Sequence, residues 1–464
     1  MRAENSSHSF HFDVLNPATG DVLGQCPNST EQDLNDCVSL ANHAFKTWSA
    51  TSDTERKNTL IRMAELIAKN SEKLAKLLTQ EQGKSLKVLG SEFEVQIVHD
   101  WLLATAEMKL DNKVLEDSEE RKAMLVRKPI GVVASITPWN WPLMIAIWHI
   151  APAIRVGCTV VIKPSNNTPL STLLMVDILN QTLPSGVLNV VTGDVGHQLS
   201  SHDGINKVVF TGSTPVGKTI MRNASSSLKR LTLELGGNDA AIVLKDANVA
   251  AIAEGLFWAA FINNGQTCLA IKRLYVHDDI YDELCEAMRN IAISLPMADG
   301  LEDGCVFGPV QNIGLFNKII DLVEDAKIQG GSLLCGGEAK TGKGFFYPIT
   351  LIANAHDEMR LVNEEQFGPA LPILRFSDIN DVLKRVNNSE LGLGGSVWSA
   401  NTDMALSVAN QMECGSVWIN SHGQVMPHIP FGGLKQSGLG VEFGEEGLLA
   451  YTSSQAVHIH KSHG

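Results

Sequence analysis

The sequence lacks the features that mark membrane, secreted and repeat proteins. Its strongest apolar stretch, WPLMIAIWHIAPAI at 141–154, contains His149 and falls short of the roughly 20 residues that cross a bilayer. This stretch therefore predicts a buried helix, and we expect no membrane partner. The first twenty residues show no basic region followed by an apolar run, so we expect no secretory signal. There is no internal repeat.

Positively charged residues are also fewer than negatively charged ones. The chain has 37 Lys and Arg against 51 Asp and Glu, a formal net charge of -14. Such a balance gives no long-range attraction to a phosphate backbone or an anionic lipid surface, so we expect no nucleic-acid partner.

The eight cysteines form no C-x-x-C pair and have no His partners at zinc-ligand spacing. We therefore expect a reduced, cytoplasmic protein without a metal site. The C-terminal sequence HIHKSHG brings His458, His460 and His463 together, which we interpret as a frayed terminus.

The remaining composition is that of a globular protein with a large core. Of the 464 residues, 44% are hydrophobic and 19% charged, and this length predicts two large domains. Apolar residues at three- and four-residue steps predict an amphipathic helix from Thr54 to Leu78. A polar segment at 111–122 then gives way to apolar residues, which predicts a hairpin or excursion that returns to a buried strand.

Two series of apolar strands follow. The first, IGVVASI, CTVVIKP, VLNVVTG, KVVFTGS and LTLELGG, alternates with helical segments, so it predicts a parallel sheet covered on both faces. The second begins with AAIVL and runs to GSVWIN, so a second α/β domain is expected to start near 235–240. Clefts between such domains commonly hold small-molecule sites.

One candidate nucleophile lies in FINNGQTCLA at 261–270. Free cysteines are among the most buried residue types, so Cys268 alone fits a core position as well as a catalytic one. Gly265 and Gln266 predict a tight turn that presents the thiol at a helix start, where backbone N–H groups favour thiolate.

Two polar residues stand next to apolar strands. Glu234 in LELGGND ends a strand at the crevice edge of the sheet, as a general base or as a member of an ion pair or helix cap. Asn140 in TPWNWPL is either an oxyanion donor or part of a structural turn.

A third motif suits a phosphate. KVVFTGSTPVGK at 207–218 reads as a strand, a glycine turn and a helix start, which can hold a pyrophosphate or serve as a plain connection. Lys163, at the end of another strand, is a surface charge or a donor to a cofactor.

Together and in this order, these motifs resemble the NAD(P)-dependent aldehyde dehydrogenase superfamily. The resemblance runs from NPATG at 16–20 through EEQFGP at 364–369 to PFGGLKQSG at 430–438. It implies an aldehyde dehydrogenase-like α/β fold with two Rossmann-type α/β domains and a small β oligomerisation element, in a homodimer or homotetramer. The implied cofactor-binding domain covers 1–110 and 130–236, the catalytic domain 237–436, the oligomerisation element 111–129 and 452–464, and a return segment 437–451.

The resemblance also assigns roles. Cys268 would be the nucleophile, Glu234 the base, and Asn140 with the Cys268 N–H the oxyanion hole. The implied cofactor is NAD or NADP, with NAD favoured. Lys163 would bind the adenosine ribose, Ser213 the pyrophosphate, Glu365 the nicotinamide ribose and Phe367 the ring. The full set of cofactor-binding residues would be Ile136, Thr137, Trp139, Lys163, Ser165, Asn166, Gly212, Ser213, Gly217, Leu235, Gly236, Glu365 and Phe367.

Two departures from the family pattern bear on specificity. Asn166 replaces a Glu common in NAD-preferring members, so we expect NAD use with tolerance of NADP. Trp148 replaces the Arg that succinate semialdehyde dehydrogenases commonly carry. With Leu269 and Phe431 lining the substrate site, we expect an uncharged aliphatic or aromatic aldehyde that is oxidised to the carboxylic acid through a cysteine thiohemiacetal and thioester. The alternatives are a semialdehyde dehydrogenase, a CoA-acylating aldehyde dehydrogenase and, in a different class, a cysteine hydrolase.

Overall fold

A computed structural model describes residues 11–461 of the chain. Within them the helices are α1 (Glu31–Trp48), α2 (Asp53–Lys69), α3 (Ser71–Gln82), α4 (Ser91–Glu107), α5 (Pro142–Val156), α6 (Pro169–Asn180), α7 (Gly196–Ser201), α8 (Thr214–Ala224), α9 (Val249–Phe261), α10 (Tyr281–Ser294), α11 (Ile313–Ile328), α12 (Arg360–Asn363), α13 (Ile379–Asn387), α14 (Thr402–Ala409) and α15 (Gly444–Leu449).

The strands of the same residues are β1 (His11–Leu15), β2 (Val22–Pro27), β3 (Lys113–Asp117), β4 (Arg121–Pro129), β5 (Val132–Ile136), β6 (Thr159–Lys163), β7 (Leu188–Val190), β8 (Lys207–Thr211), β9 (Arg230–Glu234), β10 (Asp239–Val243), β11 (Ile271–His277), β12 (Ser332–Cys335), β13 (Thr350–Ala355), β14 (Ala370–Phe376), β15 (Leu391–Gly392), β16 (Gly394–Trp398), β17 (Ser416–Ile419), β18 (Leu434–Lys435), β19 (Gly438–Leu439) and β20 (Thr452–His460).

The first sheet has the strand order β19-β9-β8-β5-β6-β7 and is parallel except for β19, the one strand that comes from the C-terminal part of the chain. All residues of β5 and β8 are buried, which confirms the predicted parallel sheet with two covered faces. Ile136 pairs with Lys163 and Thr211 with Glu234, so the carboxyl ends of four strands meet at one edge. Ligands of open α/β sheets bind outside this edge.

The second sheet has the order β12-β13-β14-β11-β10-β16-β17 and is parallel except for the edge strand β12. One apolar cluster joins it to α9 and α10, and another joins it to α11, α13 and α14. Helices therefore cover both faces, as the second strand series predicts.

A separate antiparallel sheet joins distant parts of the chain in the order β20-β4-β3. The hairpin predicted after residue 111 is confirmed as β3 and β4, and β4 leads into the buried β5. The pairing of β20 with β4 runs from Thr452 opposite Pro129 to His460 opposite Arg121. His463 lies outside the described residues.

The helical prediction near the N-terminus is partly wrong. The single helix expected from Thr54 to Leu78 is two helices, α2 and α3, separated at Asn70. The apolar spacing continues across the break because both helices pack against the same core cluster. Residues 141–154 do form the predicted buried helix, as part of α5. Among residues 11–461, none of the helices combines the length and apolar character that a membrane span requires.

A buried ion pair holds α4 against the start of α5. The Lys84 ammonium lies 2.7 Å from a Glu94 oxygen, and it also donates to the Asn140 carbonyl at 2.7 Å. The other Glu94 oxygen accepts hydrogen bonds from the N–H groups of Leu143 and Met144 at 2.9 and 3.0 Å. Burial lowers the pKa of Lys84 to about 8, and the Glu94 carboxylate opposes this shift. The pair thereby fixes the backbone that carries Asn140.

We expect Glu94→Gln to destabilise the protein by about 3–5 kcal/mol, because it leaves the Lys84 charge buried without its partner. Thermal unfolding monitored by circular dichroism measures the loss. The matched control is Glu72→Gln, which removes the partner of Lys76 from a pair whose side chains are 54% and 82% exposed, so that solvent screens the pair and we expect little change in stability. Equal stabilities of the two variants would contradict the structural role given to Glu94.

Candidate active site

The loop that carries Cys268 connects α9 to β11. A 3-10 turn over Ile262–Gly265 follows α9, and Asn263 and Asn264 adopt φ values of 51° and 57°. Asn tolerates this left-handed region better than most residues. The predicted tight turn is confirmed. The predicted helix start is wrong, because Cys268 is followed by the strand β11 rather than by a helix.

Cys268 is half-buried as a residue, and it packs against an apolar cluster rather than inside it. Burial raises the pKa of the thiol to about 12. The Lys272 ammonium opposes this shift, whereas the carboxylates of Asp239, Glu365 and Glu234 add to it. A thiolate is the attacking form of cysteine, so the charges around this group decide its reactivity.

Two N–H donors lie in or against the loop that carries the thiol. Asn140 is 3% exposed and donates to the Gln266 carbonyl at 2.9 Å, and among the described residues its amide group makes no second donor bond. Within residues 11–461 the backbone N–H of Cys268 forms no hydrogen bond. Two such donors are what a developing oxyanion requires.

The carboxyl group of Glu234 follows at the end of β9. Its side chain is buried, and within the described residues both of its oxygens lack a hydrogen-bond partner. Neither an ion pair nor a helix cap therefore explains its position. Burial, followed by the nearby Glu442 carboxylate, raises the pKa of Glu234 well above its ordinary value. A carboxylate with a raised pKa suits general-base catalysis near neutral pH.

Glu442 is a site residue that sequence reasoning missed. It is 4% exposed, and one of its oxygens lies 3.2 Å from the buried His149 ring nitrogen. The backbone of Glu442 pairs with that of Phe431, which brings it to Glu234 from the far end of the chain. No local signal distinguishes it in GVEFGEEG, because its effect depends on a tertiary contact.

The turn after β8 suits a phosphate. Ser213 caps α8 without a hydrogen bond from its side chain to the helix, so its hydroxyl is free for a ligand. A Cβ added to Gly212 would lie 2.4 Å from the Phe210 ring, and one added to Gly217 would lie 2.5 Å from the Leu235 side chain. A side chain at either position would have to displace Phe210 or Leu235, and the first turn of α8 keeps free N–H groups beside the turn.

A polar chain lies at the ends of β6 and β7. Lys163 donates to the Pro164 carbonyl at 2.9 Å and to the Asn166 side-chain oxygen at 3.3 Å. Burial lowers the pKa of Lys163 to about 8, with Asp194 opposing the shift. Asn166 in turn donates to an Asp194 carboxylate oxygen at 2.8 Å. Ser165, beside them, accepts a hydrogen bond from the Asn167 N–H.

Sequence reasoning missed Asp194. A signal was available, because Asp194 closely follows β7 and β7 neighbours β6 in a parallel sheet, so the two strand ends share an edge. Asp194, in the segment that follows β7, thus places a negative charge beside the neutral Asn166.

The opposite wall is formed by the loop at 364–369. A Glu365 oxygen accepts a hydrogen bond from the Gly237 N–H at 3.0 Å. Phe367, at φ 54°, lies edge-on to Trp139 with ring centroids 5.6 Å apart. The other predicted cofactor residues, Ile136, Thr137, Leu235 and Gly236, lie at the ends of β5 and β9 between these walls. The donors and free N–H groups fit a dinucleotide.

The three predicted substrate-lining residues share one apolar cluster. Trp148, Leu269 and Phe431 are 6–8% exposed and belong to the cluster against which Cys268 packs. Trp148 contacts Trp101 and Phe443 at centroid distances of 5.4 and 4.8 Å. Among the described residues no cluster of three His, Cys, Asp or Glu is arranged to hold a metal ion.

Known proteins match this chain in sequence and in structure. The sequence model of the aldehyde dehydrogenase family matches residues 3–457. Phenylacetaldehyde dehydrogenase of Pseudomonas fluorescens is 38% identical over 98% of this chain and 94% of its own length.

Among solved structures, the NAD+ complex of an aldehyde dehydrogenase from Bacillus cereus matches with a TM-score of 0.94 at 34% identity, covering 97% of this chain and 93% of that one. An NADP-dependent enzyme of E. coli matches with a TM-score of 0.94 at 33% identity, covering 97% and 95%. The resemblance of the sequence motifs and the α/β fold are thereby confirmed, and an NAD(P)-dependent oxidoreductase activity is supported. The chain belongs to the aldehyde dehydrogenase family.

Proposed function

We propose that this aldehyde dehydrogenase oxidises an uncharged aliphatic or aromatic aldehyde to the free carboxylic acid, with Cys268 as its nucleophile. The observation that carries the proposal is that three groups lie around the Cys268 loop, with Asn140 bonded to the Gln266 carbonyl of that loop and Glu234 near enough to act on the thiol. These are the Cys268 thiol with its unbonded N–H, the second amide hydrogen of Asn140, and the unpaired Glu234 carboxyl group.

Each group has a role that its chemistry supports. The Cys268 thiolate adds to the aldehyde carbon, and the N–H groups of Asn140 and Cys268 stabilise the resulting oxyanion. Bound NAD or NADP would supply the acceptor for the hydride that leaves this carbon. A thioester then joins the acyl group to Cys268. Glu234 takes a proton from water, the water oxygen attacks the thioester, and the acid leaves as the thiol is restored.

The cofactor would lie along the carboxyl edge of the first sheet. The free hydroxyl of Ser213 and the N–H groups at the start of α8 would hold the pyrophosphate. Lys163 and Asn166 would hold the adenosine ribose, Glu365 the nicotinamide ribose, and Phe367 the ring. We infer that NAD is favoured and NADP tolerated, since Asn166 itself is neutral whereas Asp194 lies behind it.

The substrate side is apolar. Trp148, Leu269 and Phe431 offer no charge for the distal carboxylate of a semialdehyde. Phenylacetaldehyde dehydrogenase, a relative, is named for an uncharged aromatic aldehyde. The unpaired Glu234 supports hydrolysis over transfer to CoA. Among the described residues, the charges acting on the Cys268 thiol come from Lys272, Asp239, Glu365 and Glu234 and not from a histidine, which disfavours a cysteine hydrolase.

We also infer how the subunits assemble and in which compartment the protein lies. The outer strand β3 exposes Val114 and Leu115 at 50% and 56%, an apolar edge suited to pairing with other subunits. We infer a homodimer or homotetramer built on the β20-β4-β3 sheet. The eight cysteines are all free, which supports a cytoplasmic location.

We expect the wild-type protein with NAD to form reduced cofactor faster from phenylacetaldehyde and hexanal than from succinate semialdehyde, and Cys268→Ala to form none. The absorbance of reduced cofactor measures both results. Cys414→Ala, which removes another partly exposed free cysteine, is the control and retains activity. Turnover by Cys268→Ala would refute the nucleophile, and a higher kcat/KM for succinate semialdehyde would refute the substrate class.

Glu234 should set the pH dependence of thioester hydrolysis. Its pKa is raised, so the carboxylate needed as base is lost as the pH falls through this raised value and hydrolysis slows. Glu234→Gln should abolish this acid limb of the pH–rate profile and slow hydrolysis at least about hundredfold. The first turnover of cofactor should persist as a burst.

Stopped-flow measurement across pH separates the burst from hydrolysis. Glu442→Gln removes a like charge, so it should lower the pKa of Glu234 and move the limb to lower pH. The exposed Glu445, changed to Gln, is the control. An unchanged limb in Glu234→Gln would rule out Glu234 as the base.

Asp194 should disfavour a 2′-phosphate through its charge. We expect Asp194→Asn to raise the ratio of kcat/KM for NADP to that for NAD about tenfold, because a unit charge several ångströms away is worth on the order of 1–3 kcal/mol in a partly solvated site. Asp303→Asn, at an exposed and distant ion pair, is the control. A ratio unchanged by Asp194→Asn shows that Asp194 does not face the ribose.

A further inference from the structure

Lys272 is a buried lysine beside the nucleophile with no role in the mechanism above. It lies on β11, four residues after Cys268, and is 1% exposed. Its ammonium donates to three backbone carbonyls, those of Cys268 at 2.7 Å, Thr267 at 3.0 Å and Ala270 at 3.3 Å. A buried ammonium has three hydrogens to satisfy, and here the loop satisfies them.

The remaining carbonyl of this loop is held from another element. His422, 9% exposed, has a ring nitrogen 2.7 Å from the Leu269 carbonyl, while its other nitrogen lies 2.9 Å from the Ser396 hydroxyl. The carbonyls of four consecutive residues, 267–270, are therefore all bound by the side chains of Lys272 and His422. We call this arrangement the carbonyl clamp.

The clamp determines where the oxyanion donor points. In a trans peptide the carbonyl of Thr267 and the N–H of Cys268 share one plane and face opposite ways. Lys272 binds the Thr267 carbonyl together with the Ala270 N–H, each at 3.0 Å, and so helps to set the direction of the Cys268 N–H. Within residues 11–461 that N–H has no hydrogen bond of its own, so its direction depends on the carbonyl.

The charge of Lys272 matters as well, because no helix starts at Cys268 to supply a favourable dipole. The groups that face the thiol are Lys272 on β11, Asp239 on β10, Glu365 in the 364–369 loop and Glu234 at the end of β9. The three carboxyl groups disfavour a thiolate. Among the described residues, Lys272 is the cation that offsets them.

We propose that Lys272 is a positioning residue of this dehydrogenase, which aims the Cys268 N–H at the substrate oxygen through the carbonyl clamp and whose charge favours the Cys268 thiolate. This proposal rests on the proposed role of Cys268.

The test compares Lys272→Met, which loses both charge and donors, with Lys272→Arg, which keeps both. Lys229→Met is the matched control, because Lys229 is another largely buried lysine that donates to a backbone carbonyl, that of Ser201, far from the thiol. Should Lys272→Met not fold, the neutral donor variant Lys272→Gln takes its place. Two quantities are measured for each folded variant: the rate at which iodoacetamide alkylates Cys268 between pH 7 and 10, followed on its peptide by mass spectrometry, and the steady-state kinetics.

We expect alkylation of Cys268 in Lys272→Met to be about tenfold slower at a given pH, which corresponds to a rise of one unit in the thiol pKa. Its kcat should fall about a hundredfold, the loss typical of a misplaced oxyanion donor, with little change in KM for the aldehyde. Lys272→Arg should recover most of the alkylation rate and most of kcat. Lys229→Met should behave as wild type.

Two results would overturn the proposal. One is alkylation of Lys272→Met at the wild-type rate across the pH range. The other is a loss of activity explained by weaker NAD binding, which equilibrium titration detects and which would place Lys272 with the nearby Glu365, 3.9 Å away, in the cofactor site. The alkylation readout does not require turnover, so it distinguishes a failure of Lys272 from a failure of Cys268 as nucleophile, which Cys268→Ala reports.

Discussion

The site depends on one hydrogen bond that joins a loop of the first large sheet to a loop of the second. Asn140 follows β5 of the first sheet, and Gln266 precedes β11 of the second; the Asn140 amide donates to the Gln266 carbonyl at 2.9 Å. This bond places Asn140, the proposed oxyanion donor, beside the loop of Cys268, the proposed nucleophile. Being buried, it is made in low dielectric, where an unsatisfied partner would be costly.

Neighbouring contacts support this bond from both sides. The Asn140 carbonyl accepts from Lys84 and from the Asn263 side chain at 2.7 and 2.9 Å. Trp141 donates its indole N–H to the Thr267 hydroxyl at 2.9 Å. Packing and hydrogen bonds of this kind hold catalytic groups within the narrow tolerance that preorganised sites require.

Burial raises the pKa values of Glu234 and Cys268, and nearby charges add to this effect or oppose it. Glu234 is buried, and the nearby Glu442 carboxylate adds to the effect of burial in making ionisation of Glu234 harder. The same burial disfavours the Cys268 thiolate. A site that uses both a base and a thiolate therefore needs a nearby cation, and Lys272 lies where such a charge acts on the thiol. At the cofactor end, Asp194 restores a negative charge behind the neutral Asn166.

Local pattern and motif order alone determined much of this protein: the two parallel sheets, the buried helix α5, the hairpin at β3 and β4, and the family itself. Apolar strands and the order of motifs are properties of contiguous residues, so they can be read without tertiary contacts. Tertiary structure decided that Cys268 precedes a strand, that α2 and α3 are separate, and that Glu442, Asp194 and His422 face residues far away in the chain. It also decided that the Lys272 side chain turns back onto the loop of Cys268. Their effects depend on distance and burial, which spacing along a sequence does not specify.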